Sequence, residues 1–200
     1  MTDFNHFQGA ATRRDEGDIA AAALLIGCNI AALHAVLTVE TGNRSGFDDH
    51  GRPKMLFEPH IFFRELRAGD PRLFNQAVAQ KLAYPTWGML PYPADSYPRL
   101  EAAIALNETA ALHAASWGLG QVMGFNYAAA GCATVQEMVL AAMDSEAAQL
   151  GHVVGYILTN GLSQYLIDQD WPAFAAAYNG RGQIQVYAGR LATAYGSAMA

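Results

Sequence analysis

An apolar stripe that ends on a single carboxylate constrains this chain more than any other feature. Ile30, Leu33 and Leu37 recur at intervals of three and four residues and so share one face of a helix. Glu40 falls on that face, just before a glycine-rich exit, Thr41-Gly42-Asn43-Arg44-Ser45-Gly46-Phe47. A face of this kind packs against a core. A carboxyl carried into that packing is disfavoured in its charged form, and its pKa rises toward the range in which a general acid works near neutral pH. The same spacing also fits a glutamate at a fraying helix end that turns into solvent.

Composition narrows the setting. The chain has 200 residues, 52% hydrophobic and 15% charged, enough for one ordinary domain with a sizeable core and too apolar for disorder. Its net charge of −6 gives no electrostatic grip on nucleic acid or anionic lipid. The first 15 residues read as a polar extension containing Arg13-Arg14. The apolar run Ile19–Ile26 follows Asp15, Glu16 and Asp18 and is too short to span a bilayer, so neither a secretion signal nor membrane insertion is expected. Cys28 and Cys132 read as free thiols without a chemical role. His6, His34, His50, His60, His113 and His152 are scattered without ligand spacing, and neither a nucleophile elbow nor a phosphate-cradling loop is present. No metal and no cofactor is therefore expected.

Periodicity predicts a single, mostly α domain over residues 1–200 with one small β-hairpin. A helix over about 16–26 stops at Gly27, and Asn29 caps the next, which runs to Glu40. Residues 46–57 lack helical period. Asp49-His50-Gly51-Arg52 reads as a turn between two short strands, the second bearing Met55 and Phe57 on one side. Pro59 and Asp70-Pro71 open further helices. Residues 84–98 hold four of the eight prolines with Trp87, Tyr92 and Tyr97 and read as a loop. Helices are expected over 98–115, another after Trp117-Gly118, and a long one from the Thr134/Glu137 capping box to Thr159. Two more follow, one bracketed by Asp170 and Gly180 and one over about 183–195. No repeat or domain-splitting linker is visible.

Four segments carry a resemblance. They are Val39-Glu40-Thr41-Gly42, residues 51–60 (GRPKMLFEPH), residues 115–126 (ASWGLGQVMGFN) and Ala177-Tyr178-Asn179-Gly180. In that order, along nearly the whole chain, the sequence resembles the N-acetylmuramidase catalytic domain of bacteriophage endolysins. More distantly it is similar to goose-type lysozymes and soluble lytic transglycosylases. The resemblance implies a lysozyme-like fold that cleaves peptidoglycan glycan strands at the muramic acid to glucosamine β-1,4 bond. It further implies a monomeric catalytic domain without its own wall-binding module, made in the host cytoplasm and released to the periplasm by a holin or a secretion system. After Gly180 the chain departs from the family pattern, since Arg181-Gly182-Gln183 replaces a proline and an aromatic residue.

Laid against that chemistry, Glu40 matches the family's catalytic glutamate. An inverting pair needs a second carboxylate roughly 6.5–9.5 Å away. Glu58 is the first choice, with Asp48 and Asp49 of the turn as runners-up. Glu58 also fits a structural role, capping the Pro59 helix or pairing with Arg52 or Arg64, with His60 close enough to orient it. Ser116 and Gln121 offer hydrogen bonds for sugar hydroxyl and acetamido groups. Glycines 118, 120 and 124 allow close backbone approach, and Trp117 fits either a pyranose-stacking ring or a core plug. Tyr178 and Asn179 are placed near Glu40 by the resemblance. Tyr178 equally fits a buried tyrosine bonded to backbone.

Overall fold

Many helix starts in this protein are written in a capping residue or a proline. In the computed structural model, which describes residues 2–42, 44–180 and 182–200, Asp15 and Asp18 form a reciprocal capping box at the head of α1 (Glu16–Ile26). Gly27, at φ 83°, ends it. Asn29 accepts from the Ala32 N–H at 2.8 Å and opens α2 (Ile30–Thr41). Pro59 and Pro71 begin α3 (Pro59–Leu66) and α4 (Pro71–Ala79), where their missing N–H leaves nothing unpaired.

Capping side chains divide two helical stretches, the helices expected over 98–115 and the single long helix expected over 134–159. Asn107 separates α5 (Tyr97–Ile104) from α6 (Glu108–His113), accepting from the Ala110 N–H. Ser145 separates α7 (Val135–Asp144) from α8 (Glu146–Thr159). It takes an extended conformation and accepts from the Ala148 N–H, as a serine that competes with helical backbone does. The short α9 (Ser163–Ile167), α10 (Trp171–Tyr178) and α11 (Ile184–Met199) complete the order, α11 packing along α2.

A small antiparallel sheet interrupts the helices. Its order is β1 (Met55–Phe57), β2 (Ala115–Trp117), β3 (Val122–Met123), with Leu56 opposite Ser116 and Ser116 opposite Met123. The expected hairpin after α2 is a tight loop closed by one Phe47–Pro53 bridge and by the Lys54 N–H donating to Gly46. Its second arm runs on into β1, whose partner is distant β2 rather than the first arm. The segment after Trp117-Gly118 is correspondingly a turn into β3 and not a helix. Gly118 (φ 67°) and Gln121 (φ 48°) both take left-handed backbone, which reverses the chain.

Ala32, Leu33, Val36 and Leu37 of α2 are buried in one continuous core, whereas Ile30, the first residue of the sequence stripe, is 41% exposed. The N-terminal segment is more than a polar extension. Phe4 and Phe7 are buried, and Phe7 stacks at 5.8 Å on Trp117. Thr12 then pairs in parallel with Ser145 at the helix break. Cys28 and Cys132 are free thiols. No single helix among the described residues is long and apolar enough to cross a membrane. α1 and α2 together reach that length only across a 111° bend.

Glu146 locks this arrangement. Its side chain is 2% exposed and accepts from Ser45 Oγ, the Gly46 N–H, the Arg14 N–H and Arg14 Nη1. Burial alone would raise its pKa. The Ser45, Gly46 and Arg14 hydrogen bonds and the Arg14 charge outweigh that and hold the carboxyl below its ordinary value. Its contribution to stability is therefore complete above the unfolded-state value and disappears as pH falls through the depressed folded one. Glu146→Ala should destabilise the fold by about 3 kcal/mol at neutral pH. Thermal melts of the variant and the wild type should converge toward acid pH, and an unchanged gap at low pH would contradict this role.

Candidate active site

Gly42, left-handed at φ 61°, ends α2 one turn of chain after its last apolar contacts and leaves Glu40 half-buried at the helix terminus. From the opposite side comes the end of α10. Asn179 is the residue after that helix. Its backbone N–H is satisfied by Ala175, so its side chain is free to reach across, and Nδ2 donates to Glu40 Oε1 at 2.8 Å. Burial pushes the Glu40 carboxyl above its ordinary value, and the Asn179 hydrogen bond pulls part of the way back because it favours the charged form. The net effect is a carboxyl that keeps its proton to higher pH than an ordinary glutamate does.

Tyr178, beside it, stacks on Phe174 at 5.1 Å and meets Tyr156 edge-on, and its hydroxyl donates to the Gly120 carbonyl at 3.2 Å. Burial first, and then the nearby Glu40 charge, raise its pKa. Tyr178 is thus both the tyrosine bonded to backbone and a neighbour of Glu40, so the two readings of the sequence coincide.

Glu40 opens into a cleft of about 750 Å³. Asp48, Asp49, Arg52, Lys54, Tyr97 and Gln121 are among the residues that line it. Arg52 is the hub of its wall. The guanidinium lies 4.0 Å over the Tyr97 ring, 2.7 Å from Asp48 and 3.4 Å from Asp95, joining the hairpin turn to the proline-rich loop. Asp48 also accepts from the N–H groups of His50 and Arg52. Burial opposes ionisation there, but these bonds and the Arg52 charge keep the carboxyl below its ordinary value. Asp49 lies exposed on the cleft without a side-chain partner among the described residues.

The other sequence candidates are placed differently. Glu58 is not among the residues lining the cleft. It stands at the N-cap position of α3 without capping it, accepts a short hydrogen bond from the Tyr92 hydroxyl, and has His60 Nδ1 at 3.2 Å. Neither Arg52 nor Arg64 pairs with it; those guanidiniums lie on Asp48, Asp95 and Glu65. Trp117 is 2% exposed and donates to the Leu112 carbonyl, which makes it a core plug rather than a sugar platform.

Ser116 is buried and donates to Gln121 Oε1, while Gln121 Nε2 donates to the Gly118 and Lys54 carbonyls. The pair therefore braces the β2–β3 turn, and only Gln121 reaches the cleft. The nearby glycines serve packing. A Cβ on Gly118 would lie 2.6 Å from Gln149, and one on Gly120 would lie 2.2 Å from Val153 and 2.9 Å from the Tyr178 hydroxyl. Asn43 and Arg181, which belong to the exit segment and to the departure from the family pattern, lie outside the described residues.

Sequence reasoning missed the direct Asn179 grip on Glu40, the Arg52 hub and Gln149. Gln149 is buried, donating to the Ala142 carbonyl and accepting from the Leu119 N–H. Only the Asp48/Arg52 spacing around a turn carried a readable signal. The described residues contain no group of histidine, cysteine and carboxylate side chains suited to a metal.

The sequence model of the N-acetylmuramidase family matches residues 29–199. Among solved structures, the crystal structure of the Burkholderia AP3 phage endolysin is similar over 94% of this chain and 74% of its own, at 34% identity and a TM-score of 0.81. No curated protein matches. The family match spans the end of α2 that bears Glu40, the sheet and the end of α10 that bears Asn179, and the chain belongs to the N-acetylmuramidase family.

Proposed function

We propose that this peptidoglycan hydrolase cuts the β-1,4 bond between N-acetylmuramic acid and N-acetylglucosamine, with Glu40 as the general acid. The observation that carries this reading is the half-buried Glu40 carboxyl, raised in pKa and aimed into the cleft by Asn179. In its protonated form Glu40 gives its proton to the glycosidic oxygen as the bond from that oxygen to the anomeric carbon breaks. Positive charge develops on the sugar, and water adds to the anomeric carbon, losing its own proton to a base.

For that base the geometry favours Asp49, the carboxylate that shares the cleft with Glu40 and is not held by the protein. Asp48 is held by Arg52 and by two backbone N–H groups. Glu58 is held by Tyr92 outside the cleft lining. A second reading follows from the same observation. With two of three candidate carboxylates engaged, attack by the muramic acid 6-hydroxyl, which forms an anhydro sugar, is the competing outcome.

Mass spectrometry of fragments released from purified Gram-negative peptidoglycan decides between them. The wild type should yield reducing muramic acid ends, and Glu40→Gln should reduce release by more than about 100-fold. Anhydro ends would move the protein to the transglycosylases, and undiminished release by Glu40→Gln would remove Glu40 from the acid role. Asp49→Asn should cost most of the turnover while Glu58→Gln retains it; the reverse pattern would return the base to Glu58.

The pH profile tests the Asn179 contact. Activity needs protonated Glu40 and so falls as pH rises through its raised pKa. Because the Asn179 bond favours the charged carboxylate, Asn179→Ala should raise that pKa further and move the alkaline limb of kcat/KM to higher pH. A limb that stays in place, or moves down, would show that Asn179 does not tune Glu40.

A further inference from the structure

The cleft of Glu40 shares a lining residue with a neighbouring hollow. Arg44 borders the cleft and also borders a second concavity of about 580 Å³, walled by Arg13, Arg14, Glu16, His34 and Ser45. Glu16 and His34 in turn edge a groove of about 1110 Å³ between α2 and α11. Neighbouring hollows thus share lining residues, Arg44 between the first two and Glu16 with His34 between the second and third.

Charge in the middle hollow is unevenly paired. Its carboxylates are occupied: Glu146 by Arg14, Ser45 and Gly46, Asp15 in the α1 capping box, and Glu16 by His34 at 3.0 Å. Two of its guanidiniums are held loosely or not at all. Arg44 is exposed and has no carboxylate partner among the described residues, and Arg13 reaches Glu146 only at 3.4 Å with its side chain 65% exposed. Arg14 pairs with Glu146 at 2.8 Å and keeps a buried Nε without an acceptor. In a chain of net charge −6, two exposed guanidiniums, Arg13 and Arg44, thus stand beside the cleft with little carboxylate to answer them.

We propose that this hollow seats the peptide stem of the muramic acid residue at the bond being cut, with Arg13 and Arg44 taking the stem's carboxylates. The proposal rests on the reading of the cleft as a peptidoglycan site. The stem leaves through the lactyl ether of the same ring whose glycosidic bond breaks, so it must exit the cleft within a side chain's reach of the catalytic carboxyl. Arg44 belongs to both walls and marks such an exit. Guanidinium forks match carboxylates in charge and shape.

The test compares glycan strands that bear stems with the same strands stripped by an amidase, following new sugar ends released by the wild type, Arg13→Ala and Arg44→Ala. Arg44 has no carboxylate partner among the described residues, so its variant should melt as the wild type does, and Arg13→Ala, which loses one 3.4 Å contact to Glu146, should melt only slightly lower. The wild type should show a higher kcat/KM on stem-bearing strands. In each variant the ratio of kcat/KM for stem-bearing over stripped strands should drop by about fivefold, chiefly through KM. Arg44→Lys should recover part of it. A ratio equal to that of the wild type in both variants overturns the stem site while leaving the hydrolase reading intact. Release from neither substrate by the wild type overturns both.

Discussion

The Glu146 carboxylate is where three distant stretches of chain are tied. A buried charge has to collect donors from whatever surrounds it, since leaving it unpaired costs several kcal/mol. Here the donors are Arg14 from the N-terminal segment and Ser45 with Gly46 from the exit of α2. Glu146 itself opens α8, directly after the break at Ser145. The same residue therefore fixes the start of the hairpin turn, docks the N-terminal segment and orients α8. α8 also supplies Gln149, whose amide holds the Leu119 N–H at the turn between β2 and β3. Both loops that border Glu40 are thus anchored to one helix by buried polar side chains.

On that frame the proposed acid is set by two opposed effects of similar origin. Closing α10 against the end of α2 removes Glu40 from water, which favours the protonated form, and brings Asn179, which favours the charged one. Burial dominates, so the balance lies on the side of a raised pKa. The opposite wall is built from charges that neutralise each other. Arg52 stacked on Tyr97 binds Asp48 and Asp95, which ties the hairpin turn to the proline-rich loop and leaves Asp49 as the free carboxylate on that side.

Much of the secondary structure was legible because local chemistry decides it. Asp15, Asn29, Asp70, Thr134 and Asp170 all cap helices, and each does so by accepting a nearby backbone N–H. The errors lie where a short-range signal was overridden or hidden. Apolar periodicity runs straight through Asn107 and Ser145, yet both side chains satisfy a new helix start and break the pattern. The segment 115–123 reads as loop and helix in isolation. It becomes strand because β1 presents unpaired backbone to it.

The sequence by itself determined the helical class, the carboxylate at the end of an apolar stripe and the ordered segments that mark the family. These follow from cap chemistry, from 3.6-residue periodicity and from residue identity, all readable along the chain. Only the tertiary structure decided which partners the marked residues meet. It moved Trp117 into the core, turned Ser116 and Gln121 toward each other, drew Glu58 to Tyr92 and brought Asn179 across to Glu40. The reason is that a hydroxyl, amide or carboxylate takes its role from the partner that packing places within about 3 Å of it. Partners far apart in the sequence are fixed only when the helices close on one another.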